Sequence, residues 1–282
     1  MPRLPRYREH VSAARANPSR SPLTWFSNRK TRMTYCVGMM LERGLVFMSD
    51  TRTNAGLDDI STFRKMAIWE TPGDRSITLM AAGNLATTQA VVSLLDERSK
   101  SPGDRAPSLL GVPSMFQAAR MVADTLKEVI AQHADTGQRA DSTFNATLIL
   151  GGQIKGGPHR LFLIYPEGNF IEAGRDTPFF QIGETKYGRP ILVRAYDPKM
   201  SFQAAMKLLL VSFDSTLKAN LTVGAPFDFH CYEADSLCTG QTGRVAGDDP
   251  YFLSISQGWG QALREALDML PDFKLGKDPS DA

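Results

Sequence analysis

The pattern of apolar and polar positions changes abruptly at Met33, and apolar runs begin from Thr34. TYCVGMML, a polar turn at Glu42-Arg43-Gly44, and LVFMSDTR read as two strands joined by a tight hairpin. A third strand is expected over residues 65–71 (KMAIWET). Thr71-Pro72-Gly73-Asp74 supplies turn chemistry, and a fourth apolar run, SITLMAAG, closes at Gly83. The period then changes. Residues 84–98 and 113–134 carry apolar positions at helical spacing, the second placing Met115, Phe116, Ala119, Val122, Leu126, Val129 and Ile130 on one face. KSPGDRAPS between them reads as a loop. Strands return with FNATLILGGQI, HRLFLIYP, NFIEAG and FFQIG. A short helix is expected near 186–195 and a long one from Ser201, a candidate N-cap, to Leu221. Strands at 227–234 and 251–254 and a helix over 256–269 complete the reading.

Strands in runs and helices in pairs do not make alternating βαβ units. They predict an α+β fold in which two mostly antiparallel sheets pack face to face, each covered by a helix pair: a four-layer αββα sandwich. The pattern divides the chain into a leader, 1–33, and one domain, 34–282. The leader has four prolines and no sustained period, and reads as unstructured.

Composition narrows the function classes. With 282 residues, 42% hydrophobic and 22% charged, the chain is an ordinary globular protein. The net charge of +2 is too balanced for a protein devoted to nucleic acid. The leader alone holds seven Arg and one Lys against one Glu, net +7, which leaves −5 for residues 34–282. No apolar run reaches the roughly 20 residues of a membrane span, and the basic start lacks the apolar stretch of a signal peptide, so a cytoplasmic protein is expected. Cys36, Cys231 and Cys238 have neither CxxC spacing nor a nearby histidine set. Neither a disulfide framework nor a metal site or cofactor is indicated.

Phosphate-loop, GxSxG and HExxH signatures are absent, and the histidines, His10, His133, His159 and His230, are too scattered for ligands. GGQIKGG and GQTGRVAG read as turns. What remains is the threonine that opens the domain directly after Met33. Removal of an initiator methionine there would free the α-amine of Thr34, whose ordinary pKa of about 7.7–8.0 suits it to take the proton of its own hydroxyl. Such a base needs a nearby cation and an acid to hold that cation. Asp50, ending the second strand, and Lys65, opening the third, offer both. Alone, Asp50 reads equally as a strand-end turn residue and Lys65 as a solvated edge lysine. Arg52, Thr53 and Arg64 stand close to the pair in sequence, as site or surface residues.

Together, Thr34 with Asp50 sixteen residues on and Lys65 thirty-one on resembles the proteasome β-subunit family of N-terminal nucleophile hydrolases. TYCVGMMLERGLVFMSDTRTNAG, TFRKM, IGETKYGRPIL and NLTVGAPFD are most similar to its Anbu, or ancestral β-subunit, branch, over residues 33–270. The resemblance implies Thr34 Oγ as nucleophile, its α-amine as base, Lys65 tuning the amine, Asp50 orienting Lys65, and the N–H of Gly83 as oxyanion donor. It also implies a threonine peptidase acting on peptides or unfolded protein, in a homo-oligomeric ring or open helical ring. Any ATP-driven unfoldase would be a separate chain.

Two motifs depart from the family. Its Gly-Ser-Gly turn is Gly183-Glu184-Thr185-Lys186-Tyr187-Gly188 here, and its Asp-x-x-Ser-Gly is Asn220-Leu221-Thr222-Val223-Gly224. Glu184, Thr185, Asn220 and Thr222 are candidates to supply the missing contacts. The departures keep open an amidohydrolase or peptide ligase on small amides. The leader keeps open a non-catalytic scaffold with Thr34 blocked; it is otherwise a mis-assigned start, with Met33 as initiator, or a removable propeptide.

Overall fold

The computed structural model describes residues 34–54, 60–100, 107–134 and 144–273; the leader and its His10 lie outside the described residues. The elements run β1 (Tyr35–Leu41), β2 (Gly44–Asp50), β3 (Arg52–Asn54), β4 (Ile60–Thr62), β5 (Met66–Thr71), β6 (Arg75–Gly83), α1 (Leu85–Lys100) and α2 (Met115–Ala134). They continue with β7 (Ala146–Ile154), β8 (Arg160–Ile164), β9 (Phe170–Glu172), β10 (Phe179–Gly183), α3 (Arg189–Ala195), α4 (Phe202–Ala219), β11 (Phe227–Glu233), β12 (Gln241–Val245) and α5 (Pro250–Asp268).

Two antiparallel five-stranded sheets result, ordered β10-β1-β2-β11-β12 and β5-β6-β7-β8-β9, with β3 and β4 as a separate ribbon. Three apolar layers hold them. Leu79, Leu148 and Phe162 pack beneath Val122 and Leu126 of α2 and Val91 of α1. Val37, Met48 and Phe227 pack beneath Leu209 and Phe213 of α4. Phe47, Met80, Ile149 and Leu161 fill the space between the sheets. This is the four-layer αββα sandwich the sequence predicts. Covering both faces also explains why β2 is buried at every position, where a one-sided strand would alternate. Each fully buried Leu or Phe contributes about 1.5–3 kcal/mol from apolar burial. Gly38 and Gly151 leave room for this interleaving, since a Cβ on either would lie 2.8 Å from Ile149 or Phe47 respectively.

Several local expectations are corrected. YFLS at 251–254 is the first turn of α5, because Asp249 caps it, accepting from the N–H groups of Tyr251 (2.9 Å) and Phe252 (3.1 Å), with Pro250 in the first turn. GQTGRVAG contains the edge strand β12, and GGQI belongs to β7. Phe116 is exposed rather than core-facing and meets Phe170 edge-on at 5.4 Å. Ser201 caps α4 as expected, accepting from Ala204 N–H at 3.1 Å. Among the described residues, no helix is long and apolar enough to cross a membrane.

Candidate active site

The hairpin register creates the site. Cys36 pairs with Ser49, so Tyr35 faces Asp50 at the open end of β1–β2. Asp50 Oδ1 accepts the Tyr35 N–H at 2.9 Å and the Lys65 ammonium at 2.7 Å. Lys65 Nζ also donates to the Arg52 carbonyl at 2.7 Å. Its backbone is pinned to β6 by Ala81 N–H, which donates to the Lys65 carbonyl at 3.0 Å. The two side chains are 0% and 7% exposed, so this is a buried ion pair and not the solvated edge lysine of the alternative reading. Burial pushes the Asp50 carboxyl up to about 6; Lys65 and the N–H groups of Tyr35 and Gly224 pull it back.

Thr34 is itself buried, and its carbonyl accepts the Glu184 N–H at 2.7 Å. Gly183, opposite Tyr35, has φ +84°, and a Cβ there would lie 1.9 Å from the Thr34 carbonyl oxygen. Only glycine lets β10 close on the Thr34 backbone. Tyr35 anchors the next position from the other face. Gln181 Nε2 donates to its hydroxyl at 2.6 Å, the hydroxyl meets Ser212 Oγ at 2.7 Å, and Ser212 donates to the Gly188 carbonyl at 3.1 Å.

Gly83 closes β6 and is exposed, with φ +128°. A Cβ there would lie 2.4 Å from the Asn145 carbonyl oxygen. Across the gap between the sheets Cys36 Sγ points to the Ala81 carbonyl at 3.9 Å, while Gly38 lies over Ile149, the partner of Met80, so β1 packs over the same stretch of β6 that Gly83 ends. Burial, and then Asp50, push the Cys36 thiol up, which keeps it a poor competing nucleophile.

The departing motifs join into one polar chain. Asn220 Nδ2 donates to Glu184 Oε2 at 3.1 Å, and Asn220 Oδ1 accepts from the Thr222 hydroxyl at 2.6 Å and its N–H at 3.0 Å. Asn220 and Thr222 thus connect to Thr34 through Glu184. Thr185 is half-buried beside it, and the described hydrogen bonds of this chain pass through Glu184 instead. Arg52 donates to the Leu221 carbonyl at 2.9 Å and lies so close to Gly224 that a Cβ there would be 2.4 Å from its Nε. Neither this contact nor the Tyr35 anchor carries a signal in local sequence, since their partners lie more than 100 residues away. Arg64 is exposed and lines a cleft of about 680 Å³ between β5 and β12, with Met66, Ile68, Phe229 and Arg244. The Thr53 side chain lies outside the described residues.

Two remaining histidines have structural roles. His159 Nε2 meets the Leu41 carbonyl at 3.0 Å, and His230 is fully buried with Nδ1 2.8 Å from Thr78 Oγ1. The His133 side chain lies outside the described residues. These residues bring together a threonine at a strand end and a buried Asp–Lys pair tied to the backbone that follows it, with Gly83 exposed at the end of β6. This is equipment for acyl transfer without histidine.

A family model for the proteasome subunit matches residues 32–228. Anbu (ancestral beta-subunit) from Yersinia bercovieri is 50% identical, covering 86% of this chain and 100% of its own, with a TM-score of 0.79. A Gly-1 mutant of Anbu from Hyphomicrobium sp. strain MC1 is 48% identical at the same coverage and TM-score. The Anbu complex from Pseudomonas aeruginosa, described as a helical assembly, is 45% identical, covering 87% of this chain and 100% of its own, with a TM-score of 0.80. No protein of curated function matches the chain.

Proposed function

Since the chain belongs to the proteasome subunit family, on its Anbu branch, we propose that it is an N-terminal threonine peptidase whose chemistry is centred on Thr34. The observation that carries this reading is the double use of Asp50 Oδ1, which ties the strand bearing Thr34 to the Lys65 ammonium. With Thr34 as first residue, its neutral α-amine takes the Oγ proton as Oγ attacks the substrate carbonyl carbon. The N–H of Gly83 receives the developing oxyanion, an interaction worth about 3–4 kcal/mol in hydrolases of this kind. As the C–N bond breaks, the ammonium returns that proton to the leaving amine, and an ester remains on Thr34. Water, deprotonated by the same amine, hydrolyses the ester and frees the enzyme. Lys65 disfavours protonation of the amine by charge, and Asp50 holds Lys65 in place.

The working state in this reading is a cytoplasmic homo-oligomer that admits peptides or unfolded protein, with any unfoldase on another chain. Support comes from the helical assembly of the Pseudomonas aeruginosa relative and from α5, whose Leu263 and Leu267 are exposed in the single chain, as is Leu270 just beyond it.

In the full sequence the Thr34 nitrogen is a peptide nitrogen joined to Met33, so the same subunit with its leader in place has no amine base. That fact favours one second reading, a non-catalytic scaffold. Intact mass and N-terminal sequence of the native protein separate the two, since a chain beginning Thr34-Tyr35-Cys36 supports the peptidase and one beginning at Met1 supports the scaffold. The chemical test is capture of Thr34 Oγ by a peptide electrophile in protein beginning at Thr34. An adduct on the parent and none on Thr34→Ala is expected, and equal labelling of both removes the mechanism.

A further inference from the structure

The amine invoked above has a carboxylate across from it that the proposed mechanism does not use. Tyr35 pairs with Gly183, and Glu184 N–H donates to the Thr34 carbonyl at 2.7 Å, so Glu184 stands directly opposite Thr34 on the neighbouring strand. Glu184 follows the last residue of β10, so the two residues are held together by this backbone bond at the strand end. The Glu184 carboxylate is also held there. Oε1 accepts the Lys186 N–H at 3.1 Å, and Oε2 accepts Asn220 Nδ2 at 3.1 Å. Asn220 is locked in turn, because its Oδ1 is taken by the hydroxyl and N–H of Thr222. Half-burial at Glu184, Asn220 and Thr222 limits screening by solvent.

We propose that Glu184 is a positioning residue that raises the proton affinity of the Thr34 α-amine, so that the base form, and acylation with it, is reached at higher pH than the rest of the site would set. This deepens the peptidase reading and rests on it only for the acylation readout. The groups around the amine come from four segments. Asp50 on β2 and Lys65 before β5 are paired with each other, Arg52 lies against Gly224, and Lys186 is exposed beyond Glu184. The 220–224 segment contributes no charge. Lys65 and Arg52 favour the neutral amine, and Glu184 opposes them. A nearby anion shifts the pKa of a cation toward its charged form.

The consequence is a trade. A tighter proton makes the ammonium a poorer acid for the leaving group and leaves less free amine to start the reaction, while fixing the amine's orientation through the Glu184–Asn220–Thr222 chain. Removing the charge without the shape, as in Glu184→Gln, lowers the midpoint of the amine titration by about one unit, which raises the neutral fraction up to tenfold on the acid side.

Two titrations of protein beginning at Thr34 test this. The first follows the rate of acetylation of the α-amine against pH, by mass of the N-terminal peptide, and needs no catalysis. The second follows Thr34 Oγ capture by a peptide-derived β-lactone against pH. Glu184→Gln is expected to lower both midpoints by about a unit, and Glu184→Asp to leave them near the parent's. An unchanged acetylation midpoint in folded Glu184→Gln overturns the proposal. If Glu184→Gln does not fold, Asn220→Ala, which frees the carboxylate to swing away, is expected to lower the acetylation midpoint, and no change there overturns the proposal equally. Absence of any Oγ adduct at every pH counts against the peptidase reading alone, since the acetylation midpoint still decides the role of Glu184.

Discussion

Lys65 donates to Asp50 Oδ1 at 2.7 Å in a setting where both side chains are buried, and the same oxygen accepts the N–H of Tyr35. One atom therefore couples the cation to the backbone of the strand that Thr34 opens. A buried pair of this kind is a poor source of stability but is costly to break, because the surviving partner is left charged in apolar surroundings.

Lys65→Met should accordingly destabilise the fold by about 3–5 kcal/mol and lower Thr34 acylation by about 10²–10⁴-fold. Adding Asp50→Asn removes the stranded charge. The double variant is expected to regain most of the stability in urea unfolding and none of the acylation in an adduct assay. Recovery of both would mean that the pair serves the fold alone.

Gly83 and Gly73 make a matched test of the strand-end corner. Both have positive φ, but a Cβ at Gly83 meets Asn145 O at 2.4 Å, whereas one at Gly73 finds nothing within 4 Å. Gly73→Ala carries only the backbone penalty, about 1 kcal/mol, while Gly83→Ala adds a collision with main chain and should cost about 3 kcal/mol or more. For a domain of this size the latter is a fall in Tm of about 6–12 °C. Equal melting of the two variants would show that Gly83 is not constrained by Asn145.

How much of this was legible in sequence depended on distance along the chain. β1, β2 and β6 stand out as apolar runs bounded by turns, and α2 and α4 by helical periods long enough to bury a face. β12 does not, because as an exposed edge strand it has no apolar alternation, and its pairing with β11 is decided by tertiary contact. YFLS has the apolar run of a strand, but the Asp249-Pro250 cap starts a helix there. Thr34, Asp50 and Lys65 stand out in the sequence through their resemblance to the family's spacing, and of them the fold pairs Asp50 with Lys65. The Glu184–Asn220 bond spans 36 residues and joins the end of β10 to the end of α4, so only the fold brings them together. The same holds for Arg52 against Gly224.

His230 predicts the acid behaviour of the fold. It is fully buried, Nδ1 meets Thr78 Oγ1, and Nε2 has no hydrogen-bond partner among the described residues. Burial lowers its pKa to about 4, with Glu70 opposing. A histidine kept neutral in the fold contributes stability that is intact above its unfolded pKa of about 6.5 and is lost as pH falls toward 4, about 3 kcal/mol in all. Asp50 acts in the opposite sense, since its raised pKa favours the protonated fold between about 3.8 and 6. Comparing His230→Gln with the parent cancels that contribution. Urea unfolding from pH 7 to 4 should show a shallower loss in the variant, and parallel curves would mean that the His230 pKa is not lowered by the fold.

The last expectation concerns assembly. α5 has only Phe252 buried, where it meets Phe227 edge-on at 5.3 Å, and Lys218 Nζ donates to Ser256 Oγ at 3.0 Å, so the start of the helix is fastened to α4 and β11. Beyond that anchor Leu263 and Leu267 stand one turn apart on the helix, 50% and 68% exposed, and Leu270 just past its end is 64% exposed. A free chain gains nothing from such a row, whereas an oligomer can bury it. Leu263→Glu with Leu267→Glu should therefore leave the unfolding of the single chain almost unchanged while lowering the particle mass in light scattering. Phe252→Ala should do the reverse, costing about 3–5 kcal/mol of fold stability before any effect on assembly. If the glutamate pair leaves particle mass untouched, the contacts between subunits lie elsewhere on the sandwich, and the exposed row of α5 is not what holds the oligomer together.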